Sequence, residues 1–328
     1  MNGDTLEHTP VLLNEVIRTI NPQSGKLYFD ATFGWGGYTK KLLDSCACEV
    51  IAIDQDPKVK SRAKEFKREY GTRFNFIESK FSEICSVLKK LNTKKVDGFM
   101  FDIGVSSMQL DNPQRGFSFN KEGPLDMRMG NSELTAEEFI NSVSEDELAD
   151  IIYNYGDERK SRRIAKLIVE HRKINPIKTT LHLADIVLKA NPKKNNHKKH
   201  PATKTFQAIR IYLNDELNEL FTGLTNAEQA LSEDGKICVV TFHSLEDKIV
   251  KNYFYKSSGM DYSSYKNLPV ETNDSEASLI PGKKVIKPSK EEIETNIRAR
   301  SAKLRYATRT SSLPNKFTLN DIGFREFK

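Results

Sequence analysis

Three carboxylates in the first third of the chain are the side chains best placed to do chemistry. Asp30, Asp54 and Asp102 each close a short apolar run. Continuous runs of this kind are typical of strands buried on both faces of a parallel sheet. Because the carboxyl ends of parallel strands meet at one edge, the three acids are expected at the edge where α/β folds bind their ligands.

A glycine-rich loop follows the first predicted strand. Gly34, Gly36 and Gly37 surround Trp35, and glycine lets the backbone approach a ligand closely. Asp54, about twenty residues further on, is placed to accept hydrogen bonds from ribose hydroxyls. The alternative interpretation is that the glycines only make a tight turn between a strand and a helix.

The glycine spacing narrows the choice of cofactor. The loop lacks the full dinucleotide pattern, and the chain has no Gly-Lys-Ser or Gly-Lys-Thr of a P-loop. Pyrophosphate and triphosphate ligands are therefore disfavoured. S-adenosylmethionine fits the loop and Asp54 better.

Length and composition indicate a globular protein of two domains. At 328 residues the chain exceeds a typical single-core domain. Its residues are 38% hydrophobic and 29% charged, and no apolar run approaches the roughly 20 residues of a membrane span. The first residues carry acids and lack the apolar core of a signal peptide. A cytoplasmic location without a membrane partner is expected.

The cysteines predict neither a metal site nor a redox pair. Cys46, Cys48, Cys85 and Cys238 are too scattered for a zinc pattern. We expect reduced packing residues and no metal. The net charge of +6 permits a polyanionic partner, although many basic surfaces are only solvated.

The elements that position the acids alternate between strand and helix. The sequence predicts an N-capped helix from Thr9, a helix from Asp56 closed by Gly71, a strand at 74–78 and a helix capped by Ser82. This alternation is that of a doubly wound parallel sheet. The expected fold class is therefore α/β and Rossmann-like.

Helical segments then interrupt the alternation. A loop that runs to about residue 130 precedes them, and two of them open with the capping boxes of Thr135 and Ser144. The segments end at a basic turn, 191–201. We interpret them as a small inserted all-α domain.

The sheet domain is expected to resume after this insert. A long helix over 205–231 leads to a fifth strand over 236–243, and the polar residues 257–292 predict a flexible excursion. The predicted domains are 1–108 and 205–328 for the two parts of the sheet domain and 109–204 for the insert.

Several longer motifs occur in one order along most of the chain. They occupy residues 8–13, 101–111, 115–119, 123–129, 200–210, 242–247 and 298–305. In these motifs the sequence resembles the RsmH (MraW) family, S-adenosylmethionine-dependent methyltransferases that act on a cytosine N4 of small-subunit ribosomal RNA. The resemblance implies a class I methyltransferase sheet.

The resemblance also implies a set of cofactor contacts. They are Gly36, Gly37, Tyr38, Asp54, Phe81, Asp102 and Gln109. Asp102 is in addition the candidate catalytic residue, since it would lie nearest the sulfonium. At Trp35 and Tyr38 the family commonly has Arg and His, so a side-chain role there is in question while the backbone role is kept.

The end of the predicted fifth strand carries a second pair of chemical side chains. His243 and Glu246 could act at the reaction centre, or they could form a strand-end turn that caps the next helix. The sequence alone leaves both interpretations open.

Basic residues flank the expected substrate opening and are candidate contacts for RNA phosphates. The candidates are Lys198, Lys199, Lys204, Arg210, Arg298 and Arg300, within longer series that also include Lys193, Lys194, Lys303, Arg305 and Arg309. The implied partner is 16S rRNA in the 30S ribosomal subunit. The oligomeric state stays open, with a homodimer as one option.

The leading hypothesis is an enzyme that transfers a methyl group from S-adenosylmethionine to N4 of a cytosine in the decoding centre, the P-site region of 16S rRNA. One alternative is a non-catalytic RNA-binding factor for ribosome assembly, which the intact acids and glycines disfavour. Another is a DNA amino-methyltransferase, which is disfavoured because the Pro-Pro-Tyr signature is missing after Asp102.

Overall fold

The computed structural model describes residues 10–130, 133–192, 200–259 and 277–324. These residues form two compact units. Unit 1 comprises the described residues before 105 and after 216, and unit 2 comprises those within 105–216. The predicted limits of the insert, 109–204, stay a prediction.

Unit 1 is built on a mixed sheet. Its strands are β1 (Leu27–Asp30), β2 (Glu49–Asp54), β3 (Phe74–Glu78), β4 (Val96–Asp102), β5 (Leu231–Thr241), β6 (Leu279–Pro281) and β7 (Lys303–Arg309). The strand order is β3-β2-β1-β4-β5-β7-β6. The first five strands are parallel, and β7 is antiparallel to both of its neighbours. The predicted α/β, Rossmann-like fold is confirmed.

Helices connect these strands and build unit 2. In chain order they are α1 (Leu13–Ile20), α2 (Gly37–Ser45), α3 (Lys60–Tyr70), α4 (Ile84–Lys90), α5 (Ser107–Asp111), α6 (Ala136–Ser142), α7 (Glu145–Gly156), α8 (Ser161–Arg172), α9 (Thr180–Ala190), α10 (Ala202–Leu213), α11 (Glu216–Ala230), α12 (Ser244–Ser257) and α13 (Lys290–Thr295). Among the described residues, no helix is long and apolar enough to cross a membrane.

The sequences of the central strands suit the middle of the sheet because they carry apolar side chains on both faces. Val50, Ile51, Ala52 and Ile53 of β2 are all buried, as a strand covered on both sides requires. The chain order of the strands reverses at β1, which lies between β2 and β4. A crevice at such a reversal is where open α/β sheets bind their ligands.

Unit 2 packs its helices around its own apolar core. The capping box predicted for Thr135 is present, and the hydroxyl of Ser144 accepts a hydrogen bond from the N–H of Glu147. Leu148 of α7, Ile164 of α8 and Leu183 of α9 are fully buried in this core. The seven sheet strands named above all lie outside this unit.

Three predicted helix starts or lengths were wrong. Helix α1 begins at Leu13 after a left-handed Leu12 (φ 56°), and Thr9 lies outside the described residues. Ser82 lies inside a 3-10 turn, Phe81–Glu83, that precedes α4. The long helix predicted over 205–231 is two helices, α10 and α11.

The break between α10 and α11 falls at Asn214 and Asp215. Asp215 adopts a left-handed conformation (φ 51°), which a continuous helix cannot contain. The Asn214 side chain accepts a hydrogen bond from the N–H of Met129 at 2.8 Å and donates one to the carbonyl of Met127 at 2.9 Å. These partners are more than eighty residues away, so the sequence of the helix does not reveal them.

The strands near the C-terminus also differ from the prediction. Strand β5 spans Leu231–Thr241 rather than 236–243, and β6 and β7 were not predicted. Of the expected excursion over 257–292, residues 260–276 lie outside the described residues. The remainder contains Leu279–Pro281 and the start of α13.

Candidate active site

The register of the sheet brings the three strand-end acids to one edge. Asp30 of β1 lies beside Ala52 of β2 and Met100 of β4. Asp54 and Asp102 stand two residues further along these neighbours. The carboxyl ends of β2 and β4 therefore extend beyond the end of β1 on both sides of the strand-order reversal.

The loop between β1 and α2 binds to both flanking strands. The hydroxyl of Thr32 accepts a hydrogen bond from the N–H of Asp102 at 2.7 Å. The N–H of Gly34 donates to Asp54 Oδ2 at 2.8 Å. The glycine loop is thus fixed between the two acids that were predicted to hold the cofactor.

The glycines of this loop are required by the packing of the protein itself. Gly36 has φ 82°, and a side chain on it would collide with the ring of Phe66. A side chain on Gly37 would collide with Pro10. We predicted these glycines for close approach to a ligand, and the structure adds a packing requirement that the sequence did not indicate.

The N-terminus of α2 has properties of an anion site. Its N-cap residue, Gly36, offers no side chain to the first amides, and the first turn contains no acid. Free amides at a helix N-terminus, together with the helix dipole, favour a carboxylate or phosphate. The amides of Gly37 and Tyr38 are therefore available for an acidic group.

Asp54 is held by backbone hydrogen bonds at both of its oxygens. Oδ1 accepts from the N–H of Asp56 and Oδ2 from that of Gly34, each at 2.8 Å. Burial raises the pKa of Asp54 to about 6, although these bonds oppose the rise. Each oxygen has a further lone pair for a ligand hydroxyl.

Asp102 has the most perturbed carboxyl of the three. Burial raises its pKa to about 8, with further contributions from the charges of Asp30 and Glu246. Its Oδ1 is buried and has no hydrogen-bond partner among the residues that the structure describes. Such an orphaned oxygen at a strand end fits a donor group on a ligand or substrate.

Asp30 is the third acid at this edge of the sheet, and both of its oxygens accept hydrogen bonds within the protein. It is completely buried, and its oxygens accept from the Thr39 hydroxyl at 2.7 Å and the Thr32 N–H at 3.1 Å. Burial raises its pKa to about 6. Asp30 therefore acts on the site through its charge and through the loop that it anchors.

The other predicted cofactor residues differ in their surroundings. Phe81 is half-buried, and its ring lies edge-on to Phe101 at 5.6 Å between centroids, so it offers an apolar wall. Gln109 belongs to unit 2, where it is buried and forms a capping box with Ser106. Its contact with a cofactor stays a prediction.

The two positions that depart from the family pattern, Tyr38 and Trp35, differ in burial. The Tyr38 side chain is buried, and its hydroxyl donates to the carbonyl of Val11. Tyr38 can therefore serve a ligand only through its backbone. Trp35 is 43% exposed.

His243 and Glu246 form the capping arrangement that was one of the two predicted alternatives. Glu246 Oε2 accepts from the N–H groups of Phe242 and His243 at 2.8 and 3.1 Å. His243 Nε2 lies 2.9 Å from Glu246 Oε1. Because the charge of Glu246 also raises the pKa of Asp102, a role at the reaction centre stays a prediction beside the observed cap.

The predicted RNA contacts differ in their exposure and in the partners that they have within the protein. The guanidinium of Arg210 makes a bidentate ion pair with Glu216, both contacts at 2.7 Å. Lys204 donates to the carbonyl of Asp157 and is half-exposed, while Arg300 is exposed and Arg298 is partly buried. Lys198 and Lys199, with Lys193 and Lys194, lie outside the described residues.

Strand β7 accounts for the remaining basic residues that were predicted to bind phosphates. Lys303 and Arg305 each contact Asp247 at 2.7 Å. Arg309 is buried and donates to the carbonyl of Ser278 at 2.7 Å. These side chains have partners inside unit 1, so they have less support as phosphate contacts, and that role stays a prediction.

The threonines that hold the site together were not predicted from the sequence. Thr32 and Thr39 both bond to Asp30, and Thr32 also accepts from Asp102. In the sequence, these threonines stand two and nine residues after Asp30, on either side of the glycine loop. This spacing is the local signal that could have indicated them. Only the sheet register shows that Asp102 belongs to the same group.

The strand order, with β7 antiparallel between β5 and β6, and the strand-end acids define a class I methyltransferase sheet. The model of the MraW methylase family matches residues 5–310. The chain belongs to this family and is an S-adenosylmethionine-dependent methyltransferase.

Relatives of known name cover nearly the whole chain. Ribosomal RNA small subunit methyltransferase H of Rickettsia canadensis is 53% identical over 303 residues, which are 92% of this chain and 97% of that protein. The protein of the same name from Rickettsia conorii is 51% identical over 302 residues, with the same coverage.

Solved structures show weaker likenesses. A SAM-dependent O-methyltransferase from Thermotoga maritima has a TM-score of 0.40 at 10% identity and covers 94% of this chain and 70% of its own. An rRNA methylase from Streptococcus thermophilus has a TM-score of 0.36 at 9% identity, with 92% and 93% covered. Neither likeness contributes to the assignment.

The raised pKa of Asp102 predicts a stability that depends on pH. Because the folded protein holds this proton up to about pH 8 and the unfolded chain releases it near its ordinary value, the free energy of unfolding falls as pH rises between these values. Asp102→Asn removes the effect. We expect the variant to match the wild type at about pH 4 and to exceed it by several kcal/mol at about pH 9, since one pKa unit corresponds to about 1.4 kcal/mol.

Urea unfolding at a series of pH values measures this difference. Asp185→Asn, which changes an exposed acid on α9, is the matched control and should follow the wild type throughout. A variant at Asp102 that is equally destabilised at every pH would show that the carboxyl is not the source of the slope.

Proposed function

We propose that this enzyme transfers a methyl group from S-adenosylmethionine to N4 of a cytosine in the decoding centre, the P-site region of 16S rRNA. The observation that carries the proposal concerns Asp102 at the carboxyl end of β4: its Oδ1 is buried and has no hydrogen-bond partner in the described part of the chain. The names of the relatives at 51–53% identity support ribosomal RNA as the substrate class.

The acids and the loop of unit 1 suit the methyl donor. The first amides of α2 would bind its carboxylate, Asp54 its ribose hydroxyls and Phe81 its adenine. When bound, the donor supplies a methyl group on a cationic sulfonium. Burial raises the pKa of Asp30, and burial together with the charges of Asp30 and Glu246 raises that of Asp102. A nearby positive charge lowers such raised pKa values, so both acids favour the sulfonium.

Asp102 also suits the acceptor nitrogen. The N4 lone pair of cytosine is delocalised into the ring, so transfer depends on placing N4 in line with the methyl group. Asp102 Oδ1 can accept a hydrogen bond from the amino group and so orient it. As positive charge develops on N4, the same oxygen is a suitable site for the departing proton.

A ribosomal substrate would define the partners. The enzyme would act on the 30S subunit or its precursor, which places the reaction in the cytoplasm. The proposed cofactor contacts include Gln109. The proposed RNA contacts include Lys204, Arg298 and Arg300. Arg210 has less support as a phosphate contact because Glu216 already pairs with its guanidinium.

Nucleoside analysis of rRNA by mass spectrometry tests the function directly. Small subunits from cells that lack the protein should gain N4-methylcytidine, with one methyl group per particle, when incubated with the enzyme and S-adenosylmethionine. Binding of the particle without any new methylated nucleoside would instead support an assembly factor. A methyl group on another nucleoside would overturn the proposed acceptor.

Asp54→Ala tests the donor site. The variant should bind S-adenosylmethionine more weakly by about 1–3 kcal/mol, the usual cost of losing a buried hydrogen-bonding group. Calorimetry measures this loss. Glu49→Ala, at the exposed opposite end of β2, should bind like the wild type, and unchanged affinity in Asp54→Ala would refute the ribose contact.

Lys198→Ala combined with Lys199→Ala tests the basic turn. If these residues contact phosphates, the double variant should methylate 30S subunits more slowly and with a flatter salt dependence, because fewer counterions are released. Its affinity for S-adenosylmethionine should not change. The control pair is Lys89→Ala with Lys90→Ala, two exposed lysines of α4, and normal methylation by the first pair across a salt series would exclude the turn from the RNA path.

A further inference from the structure

Trp35 stands out among the side chains beside the candidate active site. It is the chain's single tryptophan, and 43% of its surface is exposed. Isolated exposed apolar side chains are common on proteins and by themselves indicate no function. The backbone and the neighbours of Trp35 therefore decide its role.

The backbone on both sides of Trp35 is fixed. Gly34 and Gly36 adopt φ values of 50° and 82°. The N–H of Gly36 donates to the carbonyl of Phe33 at 2.6 Å, and the N–H of Phe33 donates to Ile53 at 2.9 Å. The indole is consequently presented from a rigid turn, which lowers the entropy lost when a ligand contacts it.

A guanidinium lies against the indole. The central carbon of Arg62 is 5.9 Å from the ring centroid of Trp35 and 4.8 Å from that of Phe66. Its Nε donates to the Trp35 carbonyl at 3.4 Å, and its Nη1 contacts Glu65 at 2.6 Å. The indole is therefore backed by a held cation and still has a large exposed surface.

The surroundings favour a polyanion. Residues 56–70, which include α3 and Arg62, contain six basic and three acidic side chains. The turn that carries Trp35 also contacts Asp54 through Gly34. The exposed indole is thus part of the loop that forms the proposed donor site.

We propose that the Trp35 indole, backed by the Arg62 guanidinium, is a stacking platform for an unpaired RNA base next to the target cytosine. Bases stack on aromatic rings without strong sequence preference. A nucleotide that leaves its stack for modification also exposes its neighbours, and the indole can cover one of them. This inference rests on the proposed function because it takes RNA as the substrate.

The single tryptophan allows a direct measurement. Intrinsic fluorescence of the full-length protein, with S-adenosylhomocysteine saturating the donor site, is titrated with a short single-stranded oligoribonucleotide of cytidine and adenosine. Stacking should quench the emission saturably. Quenching by S-adenosylhomocysteine alone, with none added by RNA, would assign the indole to the donor and overturn the proposal.

Two variants and a matched control complete the test. Trp35→Ala should weaken oligonucleotide binding roughly tenfold and raise the KM for 30S subunits while the KM for S-adenosylmethionine stays unchanged. Trp35→Phe, which keeps a ring, should recover most of the loss. Tyr153→Ala removes an exposed aromatic side chain of α7 and should bind like the wild type.

Normal RNA affinity in Trp35→Ala, or no saturable quenching in the wild type, would overturn the platform. The outcome is separable from that of the proposed function. If the wild type methylates 30S subunits and Trp35→Ala does so with an unchanged KM, only the platform fails. If the wild type produces no methylated cytidine, the function fails, and the fluorescence titration still decides whether the indole binds RNA.

Discussion

The burial of three carboxyl groups at one edge of a sheet is the constraint on which the rest of unit 1 depends. Burial raises the pKa values of Asp30 and Asp54 to about 6 and that of Asp102 to about 8. Apolar side chains at these strand ends would have been more stabilising. A cation at this edge favours the charged forms of these acids, so the free energy of folding and the binding of a cationic cofactor are linked.

The loop after β1 links these acids to neighbouring segments of the chain through hydrogen bonds. Thr32 bonds to the backbone of Asp102, and Gly34 bonds to Asp54, so a shift of either strand end moves the loop. The segment before α1 is fixed in turn, because the Tyr38 hydroxyl donates to Val11 and Glu292 accepts from the N–H of Leu12 at 2.6 Å. The left-handed Leu12 is backbone strain of the kind that functional sites retain when their surroundings hold it.

The sequence revealed features that depend on local pattern and missed those that depend on distant partners. Strand β3 has the predicted bounds, and β4 ends at the predicted Asp102, because short segments rich in apolar residues mark both strands in the local sequence. The break at Asn214 depends on Met127 and Met129, which no helical pattern contains. Strand β7 was interpreted as a basic series because the partner of its cations, Asp247, is more than fifty residues away.

The same distinction explains why the two unusual residues of the glycine loop could not be assigned from sequence. Tyr38 and Trp35 are aromatic neighbours of the same glycines, and no pattern says which of them faces inward. A side chain on Gly36 would strike the ring of Phe66, and one on Gly37 would strike Pro10, so the backbone after Trp35 is closely packed. The Tyr38 side chain, which follows these glycines, is buried. Trp35 precedes these two glycines in the chain and lies beside Arg62. Because 43% of its surface is exposed, its indole can contact a ligand.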